Sequence, residues 1–212
     1  CGRASIGREV PRSATMRLAT PDDAEQIGSI YAPHVRDGAT SFEIDPPTAE
    51  VMSARIASYL GYAPWLVCER GGEIAGYAYA GKHRERLAYQ WDVEVSVYVH
   101  ERARRAGVGR GLYVSLFSLL ALQGFYNAYA GITLPNPESV GLHESLGFTP
   151  VGVYRGAGYK LAAWHDVGWW QLAVQPRHDD PSPPCRMAEA RLSSGWAAAL
   201  AVGLAACGPR KA

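Results

Sequence analysis

Residues 93–122 read VEVSVYVHERARRAGVGRGLYVSLFSLLAL and hold the chain's most chemically suggestive spacing. A strand-like run ends in Val97, Tyr98 and Val99. A short basic turn follows, Arg104-Arg105-Ala106-Gly107-Val108-Gly109, and an amphipathic helix begins near Arg110. A strand, a glycine turn and a helix N-terminus together present bare backbone N–H groups that suit an anionic phosphate. Gly107 and Gly109 let the backbone approach a ligand without Cβ obstruction, and the arginines supply charge-assisted donors. The spacing is R-x-x-G-x-G. It lacks the G-x-x-x-x-G-K-[ST] of NTPase loops and the G-x-G-x-x-G that closely follows a first strand in dinucleotide folds.

This turn resembles the pyrophosphate-binding signature of the GCN5-related N-acetyltransferases (GNAT), which bind acetyl-coenzyme A. Acetyl transfer from a thioester to an amine has definite requirements. The ammonium must lose a proton, the thioester oxygen needs a donor, the leaving thiolate gains from a proton, and both reactants must be held in line. Glu94 is the candidate base, a carboxylate within an apolar strand, where burial is costly unless it is partnered. The alternative is a solvent-facing residue in a strand of alternating polarity. His143 is the candidate acid, since an imidazole exchanges protons near neutral pH. The alternative there is a plain helix-surface histidine. Asn136 reads as a helix N-cap and as a possible donor to a cofactor arm. Arg84, Arg86 and Tyr89, in KHRERLAYQW, could hold a substrate carboxylate. Phe42, Trp91 and Tyr98 could wall a pocket, although strand aromatics are more often core.

The elements that must position these residues follow from periodicity. The folded region is expected to start near Met16, with 1–15 as an extension, 16–175 as one domain and 176–212 as a Pro-rich linker and Ala-rich tail. Arg17–Ala19 reads as a strand. Thr20-Pro21 starts a helix carrying Ile27, Ile30 and Tyr31, which Pro33 is expected to end. A second helix is expected over Ala49–Leu60, burying Val51, Ile56, Tyr59 and Leu60. Strands at Trp65–Glu69 and Ile74–Ala80 flank the Gly71-Gly72 turn of a hairpin, and Trp91–Val99 is a third strand. The helix after the glycine turn has a Leu112, Leu116, Leu119, Leu120 stripe and ends at Gly124. Asn127–Leu134 is a strand and Pro137–Leu146 a short helix stopped by Gly147. Val151–Arg155 and Val167–Val174 are the last strands, and Met187–Cys207 a marginal helix. The fold class is α/β, with one mixed, mostly antiparallel central sheet flanked by helices on both faces.

Composition narrows the function classes. A net charge of +1 with no long basic run disfavours nucleic-acid binding. Cys1, Cys68, Cys185 and Cys207 show neither CxxC nor Cys/His spacing, so neither a metal site nor a disulfide framework is expected. No 18-residue apolar span is present, so no membrane association is expected. The stretch CGRASIGREVPRS has no apolar core to serve as a secretory leader, which makes the expected location cytoplasmic.

Longer stretches extend the resemblance to the phosphinothricin and methionine-sulfone acetyltransferase branch of the family. They are MRLATPDD, IYAPHVRDGATSFE, PWLVCERGGEIAGYAYAG, AYQWDVEVSVYV, ITLPNPESVGLHESLGF and GYKLAAWHDVGWWQL, in the family's order over about residues 16–175. The resemblance implies the GNAT acyl-CoA N-acyltransferase fold, acetyl-CoA as cosubstrate and a small-molecule amine as acceptor. It implies that Val97, Tyr98 and Val99 meet the pantetheine through backbone, that Arg104, Arg105, Ala106, Gly107, Val108, Gly109 and Arg110 cradle the pyrophosphate, and that Asn136 contacts the cofactor arm. Glu94 matches the branch's base, and His143 falls where many members place a tyrosine acid. Phe42, Arg84, Arg86, Tyr89 and Tyr98 match positions near an amino-acid substrate. Thr133 stands where the herbicide-detoxifying members have glycine, which would crowd that part of the pocket and favour a smaller analogue. A homodimer is implied as well. The readings that compete with this one are a protein N-terminal or lysine acetyltransferase and a non-catalytic acyl-CoA-binding module.

Overall fold

The computed structural model describes residues 14–207, so nearly all of the expected N-terminal extension lies outside the described residues. Seven strands form one sheet: β1 (Ala14–Leu18), β2 (Trp65–Arg70), β3 (Glu73–Lys82), β4 (Asp92–Val99), β5 (Asn127–Leu134), β6 (Thr149–Lys160) and β7 (Ala163–Ala173). The spatial order is β1-β2-β3-β4-β5-β7-β6, antiparallel throughout except where β4 runs parallel to β5. The β2–β3 hairpin turns on Gly71 and Gly72 at φ 63° and 86°, both open to glycine without steric cost.

Two helices, α1 (Ala24–Arg36) and α2 (Ala49–Leu60), cover one face of the sheet. Ile27, Ile30, Tyr31, Val35, Met52 and Ile56 pack there on Trp65, Val67 and Tyr77. The other face carries α3 (Val108–Gln123), whose leucine stripe is wholly buried against Leu66, Ala78, Val93 and Val95. The short α4 (Pro137–Ser145) lies beside it, with Asn136 as N-cap and Pro137 in its first turn.

Three expectations are corrected. Pro33 does not end α1, which runs on to Arg36, because burial of Val35 on the core face outweighs one lost backbone bond. In α2 the buried residue of the first turn is Met52, while Val51 is 45% exposed. The last hairpin is much longer than Val151–Arg155 and Val167–Val174, spanning β6 and β7 around Leu161 and Ala162 at φ 51° and 57°.

The far end of that hairpin reaches over to the α1–α2 connection. Lys160 is buried and donates from Nζ to the Val35 and Ser41 carbonyls at 2.6 and 2.7 Å. Gly158 lies so close to Phe42 that a Cβ there would overlap the ring.

Residues beyond Gln175 also pack on the domain. An extended stretch is pinned by Trp91, which donates from Nε1 to the Ser182 carbonyl, and by Gln123, which donates from Nε2 to the Cys185 carbonyl. Instead of one marginal helix there are α5 (Met187–Ala190), α6 (Trp196–Ala201) and a closing 3-10 segment (Val202–Ala206). Met187, Ala190 and Ala199 are buried, and Trp196, Leu200 and Leu204 pack against the main core. Buried Ser115 on α3 donates from Oγ to the Leu200 carbonyl at 2.7 Å and accepts from the Gly203 N–H at 3.0 Å.

Candidate functional site

The organising feature is the junction of β4 and β5. Their parallel pairing covers only Asp92↔Asn127, Val93↔Ala128 and Glu94↔Tyr129. Beyond Glu94 the strands part. Val97, Tyr98 and Val99 stay paired with β3 on one side and, among the described residues, have no strand on the other. A strand edge without a partner offers its N–H and C=O groups to an extended, amide-bearing ligand.

At one end of this gap stands the glycine turn. Arg105 and Gly107 have φ of 59° and 73°, which turns successive N–H groups inward as α3 begins. The first bond of the helix runs from Gly111 N to the Gly107 carbonyl, so the N–H groups before it have no helical acceptor. Arg104 and Arg105 are exposed. Arg110 is tethered to Ser145 at the end of α4, and Arg70 donates to the Ala106 carbonyl, bracing the turn from behind. Gly109 sits against Leu142 and Val99, where a Cβ would be tight. Asn136 accepts at Oδ1 from the Ser139 N–H, which leaves its Nδ2 for another acceptor.

Glu94 marks the lip of the gap as the last paired residue of β4. Strand register puts it on the α1/α2 face with Tyr77, Tyr79, Ser96, Tyr98, Tyr129 and Thr133. Its side chain is 40% exposed. His83 Nδ1 lies 3.0 Å from Glu94 Oε1, and Arg84 Nη1 is 3.7 Å from the same oxygen. Both contacts fall on Oε1, leaving Oε2 for a proton. The His83 ring stacks on Tyr129 at 4.3 Å and lies edge-on to Trp169 at 6.1 Å. Tyr89 meets the same imidazole edge-on at 6.3 Å. The structure thus brings Glu94, Arg84 and Tyr89 together around His83, a residue that sequence reasoning passed over. Its only signal was its place in KHRER, directly before Arg84.

The other expected substrate residues are more scattered. Arg86 is exposed and precedes a 3-10 turn at Leu87–Tyr89. Phe42 lies under the β6–β7 hairpin beside His165. Thr133 is half-buried on β5 opposite Val167. Tyr98 stacks on Tyr77 at 5.3 Å and meets Tyr31 edge-on at 5.1 Å, and burial pushes its phenol pKa well up. A cavity of about 280 Å³ opens on the same face between Tyr31, Met52, Tyr59, Trp65, Tyr77 and Tyr79, with the Glu43–Arg55 ion pair in its wall.

His143 is placed differently from expectation. It is 3% exposed, not a helix-surface residue, and packs with α3 on the face opposite Glu94. Its Nδ1 contacts the Ser139 carbonyl at 2.7 Å and its Nε2 the Tyr113 hydroxyl at 3.0 Å. Both nitrogens are engaged: Nδ1–H donates to the Ser139 carbonyl, and in the neutral ring Nε2 accepts from the Tyr113 hydroxyl. That hydroxyl is wholly buried, and burial pushes its pKa up and keeps it protonated.

Burial holds the pKa of His143 below the ordinary imidazole value, and it does the same at His34. Both rings are therefore neutral in the fold, while the unfolded chain takes up protons near pH 6.5. Stability from this source is complete above that pH and is lost as the pH falls through the depressed folded values. Urea unfolding at pH 7.5 and pH 5.5 should show the acid-side loss, and a His34→Asn variant should flatten it.

Among the described residues there is no cluster of three or more His, Cys, Asp or Glu side chains able to hold a metal ion. No helix among them is long and apolar enough to cross a membrane.

Comparison with known proteins fits this geometry. The acetyltransferase (GNAT) domain family matches residues 16–169. A phosphinothricin N-acetyltransferase of Streptomyces viridochromogenes is 40% identical over 173 residues, which is 82% of this chain and 92% of that protein. An L-methionine sulfoximine/L-methionine sulfone acetyltransferase of Salmonella typhimurium is 35% identical over 165 residues, 76% of this chain and 94% of that one. Among solved structures, a GNAT superfamily phosphinothricin acetyltransferase from Sinorhizobium meliloti in complex with AcCoA superposes with a TM-score of 0.75 at 31% identity. It covers 82% of this chain and 98% of that one.

Proposed function

The chain belongs to the GNAT acetyltransferase domain family and is an N-acetyltransferase, and on that premise we propose that it transfers the acetyl group of acetyl-CoA to the α-amine of a small amino-acid-like compound, of the phosphinothricin, methionine sulfone or methionine sulfoximine type. The observation that carries this reading is Glu94, a carboxylate fixed by His83 and Arg84 at the lip of the parted strands.

In this mechanism the open edge of Val97–Val99 hydrogen-bonds the pantetheine, and the N–H groups and arginines of 104–110 hold the pyrophosphate. Asn136 Nδ2 donates to the cofactor arm. Arg84 and Arg86 face the acceptor's carboxylate, and Tyr89 and Phe42 flank its side chain. Glu94 Oε2, through a water molecule, removes the ammonium proton. The freed lone pair forms the C–N bond directly on the thioester carbon, and the C–S bond then breaks. The acylated nitrogen then gives up its second proton and the thiolate takes one up, so that CoA leaves as the thiol. Thr133 narrows the acceptor site, which favours a sulfone or sulfoximine over phosphinothricin.

A thiol-release assay with acetyl-CoA should show turnover on methionine sulfone, methionine sulfoximine or phosphinothricin, with the first two preferred. Turnover on a short peptide alone would replace this reading with protein acetylation. Acetyl-CoA binding with no turnover on any of them would point to a non-catalytic module.

The proposed enzyme is a homodimer that pairs through the outer strand β6. That strand is an edge, and exposed Val151, Val153, Tyr154, Tyr159, Leu161 and Trp164 cluster along it and its turn. Light scattering should give twice the chain mass, and a Val153→Lys/Tyr154→Lys double variant should give the monomer.

A further inference from the structure

Two of the four cysteines meet at a point remote in sequence. Cys68, on β2, is fully buried and faces the α3 side of the sheet. Cys207 closes the C-terminal segment, 139 positions later, and its Sγ lies 4.0 Å from that of Cys68. The approach is fixed by what surrounds it. Four residues earlier, Gly203 rests on Gly111 so closely that a Cβ on it would overlap the Gly111 carbonyl. Its N–H donates to Ser115 Oγ, and Leu204 packs into the main core. Cys207 is partly exposed whereas Cys68 is sealed, so Cys207 is the cysteine of the pair nearer to solvent.

We propose that Cys68 and Cys207 form a redox-responsive disulfide that fastens the C-terminal segment to the acetyltransferase domain when the protein meets a two-electron oxidant such as hydrogen peroxide. The Cys207 thiolate attacks one peroxide oxygen, the O–O bond breaks, and the hydroxide released becomes water. The resulting sulfenic acid is attacked by the Cys68 sulfur. The S–S bond forms as the S–O bond breaks, and a second water leaves with the Cys68 proton. Two thiols lose two electrons in all, and one peroxide becomes two waters. A dithiol reverses the reaction.

The local chemistry suits this order of events. The S–H of Cys68 first, and the nearby Arg70 guanidinium as well, hold the Cys207 thiol down to about 7, whereas the same contact first, and burial second, push Cys68 up. Cys207, the less buried of the two, is thus the more readily ionised nucleophile. The covalent bond needs the sulfurs to close from 4.0 Å to about 2.05 Å. Cys185, intermediate in exposure and hydrogen-bonded at Sγ to the Leu122 carbonyl, serves as an internal control.

The test uses the full chain treated with hydrogen peroxide and mapped without reduction. A peptide joining Cys68 to Cys207 should appear, and dithiothreitol should dissolve it. The melting temperature should rise by about 10 °C on oxidation, as closure of so long a loop implies. The link and the rise should both persist in Cys185→Ser and vanish in Cys207→Ser. Free, alkylatable Cys68 after peroxide treatment, with Cys207 overoxidised or joined to Cys1 or Cys185, would overturn the proposal. So would a rise in melting temperature that survives Cys207→Ser.

Discussion

A Glu94→Gln variant is expected to lose turnover by about a hundred- to ten-thousand-fold, the range for removing a positioned general base. The amide keeps the volume of the side chain and an oxygen to face His83 and Arg84, so the lip of the gap should survive. What it loses is the capacity to accept a proton. The kcat and kcat/KM should therefore fall together while the dissociation constant for acetyl-CoA stays put, since Glu94 is removed from the 104–110 turn by the length of the β4 edge. A His83→Phe variant isolates the positioning effect. It keeps the stack on Tyr129 and drops the bond to Oε1, and about a tenfold loss in kcat with little change in KM is expected. Steady-state kinetics and calorimetric titration of acetyl-CoA check both. Full turnover in Glu94→Gln would move the base elsewhere.

Truncation after Gln175 is expected to lower the melting temperature by about 10 °C or more, or to prevent soluble expression. Such a segment would be dispensable if it were a solvated linker, but this one supplies part of the α3 layer. Removing it strips Met187, Ala190 and Ala199 from buried positions, worth about 1.5–3 kcal/mol for the methionine and about 0.8 kcal/mol for each alanine methyl. It also takes both partners from Ser115 Oγ, a group with no exposure. Each buried hydrogen bond lost is worth about 1 kcal/mol, more where the polar atom stays dry. A Gly203→Val variant tests the same docking without shortening the chain, because its side chain would drive the segment off Gly111. Calorimetry on both should show a shift of the same sign.

The parts of this fold that were legible in the sequence are those whose local chemistry has one structural solution. The Leu112, Leu116, Leu119, Leu120 stripe can only be a helix face, Gly71-Gly72 between alternating strands can only be a tight turn, and Asn136-Pro137 is a helix start. The basic glycine turn was visible for the same reason, whereas Glu94 kept two readings, a candidate base or a solvent-facing strand residue. What escaped depends on partners distant in the chain. β6 carries Gly156 and Gly158, which read as loop, and its turn into β7 at Leu161-Ala162 has none of the usual turn residues. Phe42 and Lys160 stabilise that hairpin from across the molecule. His83 owes its place to Tyr129, 46 positions on, and His143 is buried by Tyr113, 30 positions before it. The C-terminal segment looked like a linker because its apolar run is short and rich in alanine. What lets its backbone lie directly on Gly111 is Gly203, which has no Cβ to hold the two chains apart.

The brief contact between β4 and β5 has a thermodynamic meaning as well as a spatial one. Three residue pairs and the overlying α3 join two half-sheets, so this is the seam along which the domain is least cross-linked. Pantetheine carries two amides along an extended chain and can lie in the seam as a short eighth strand, supplying the ladder that the polypeptide leaves incomplete. On that view acetyl-CoA is a structural element that the enzyme borrows on each cycle. Each turnover then closes the sheet and, on release of CoA, opens it again.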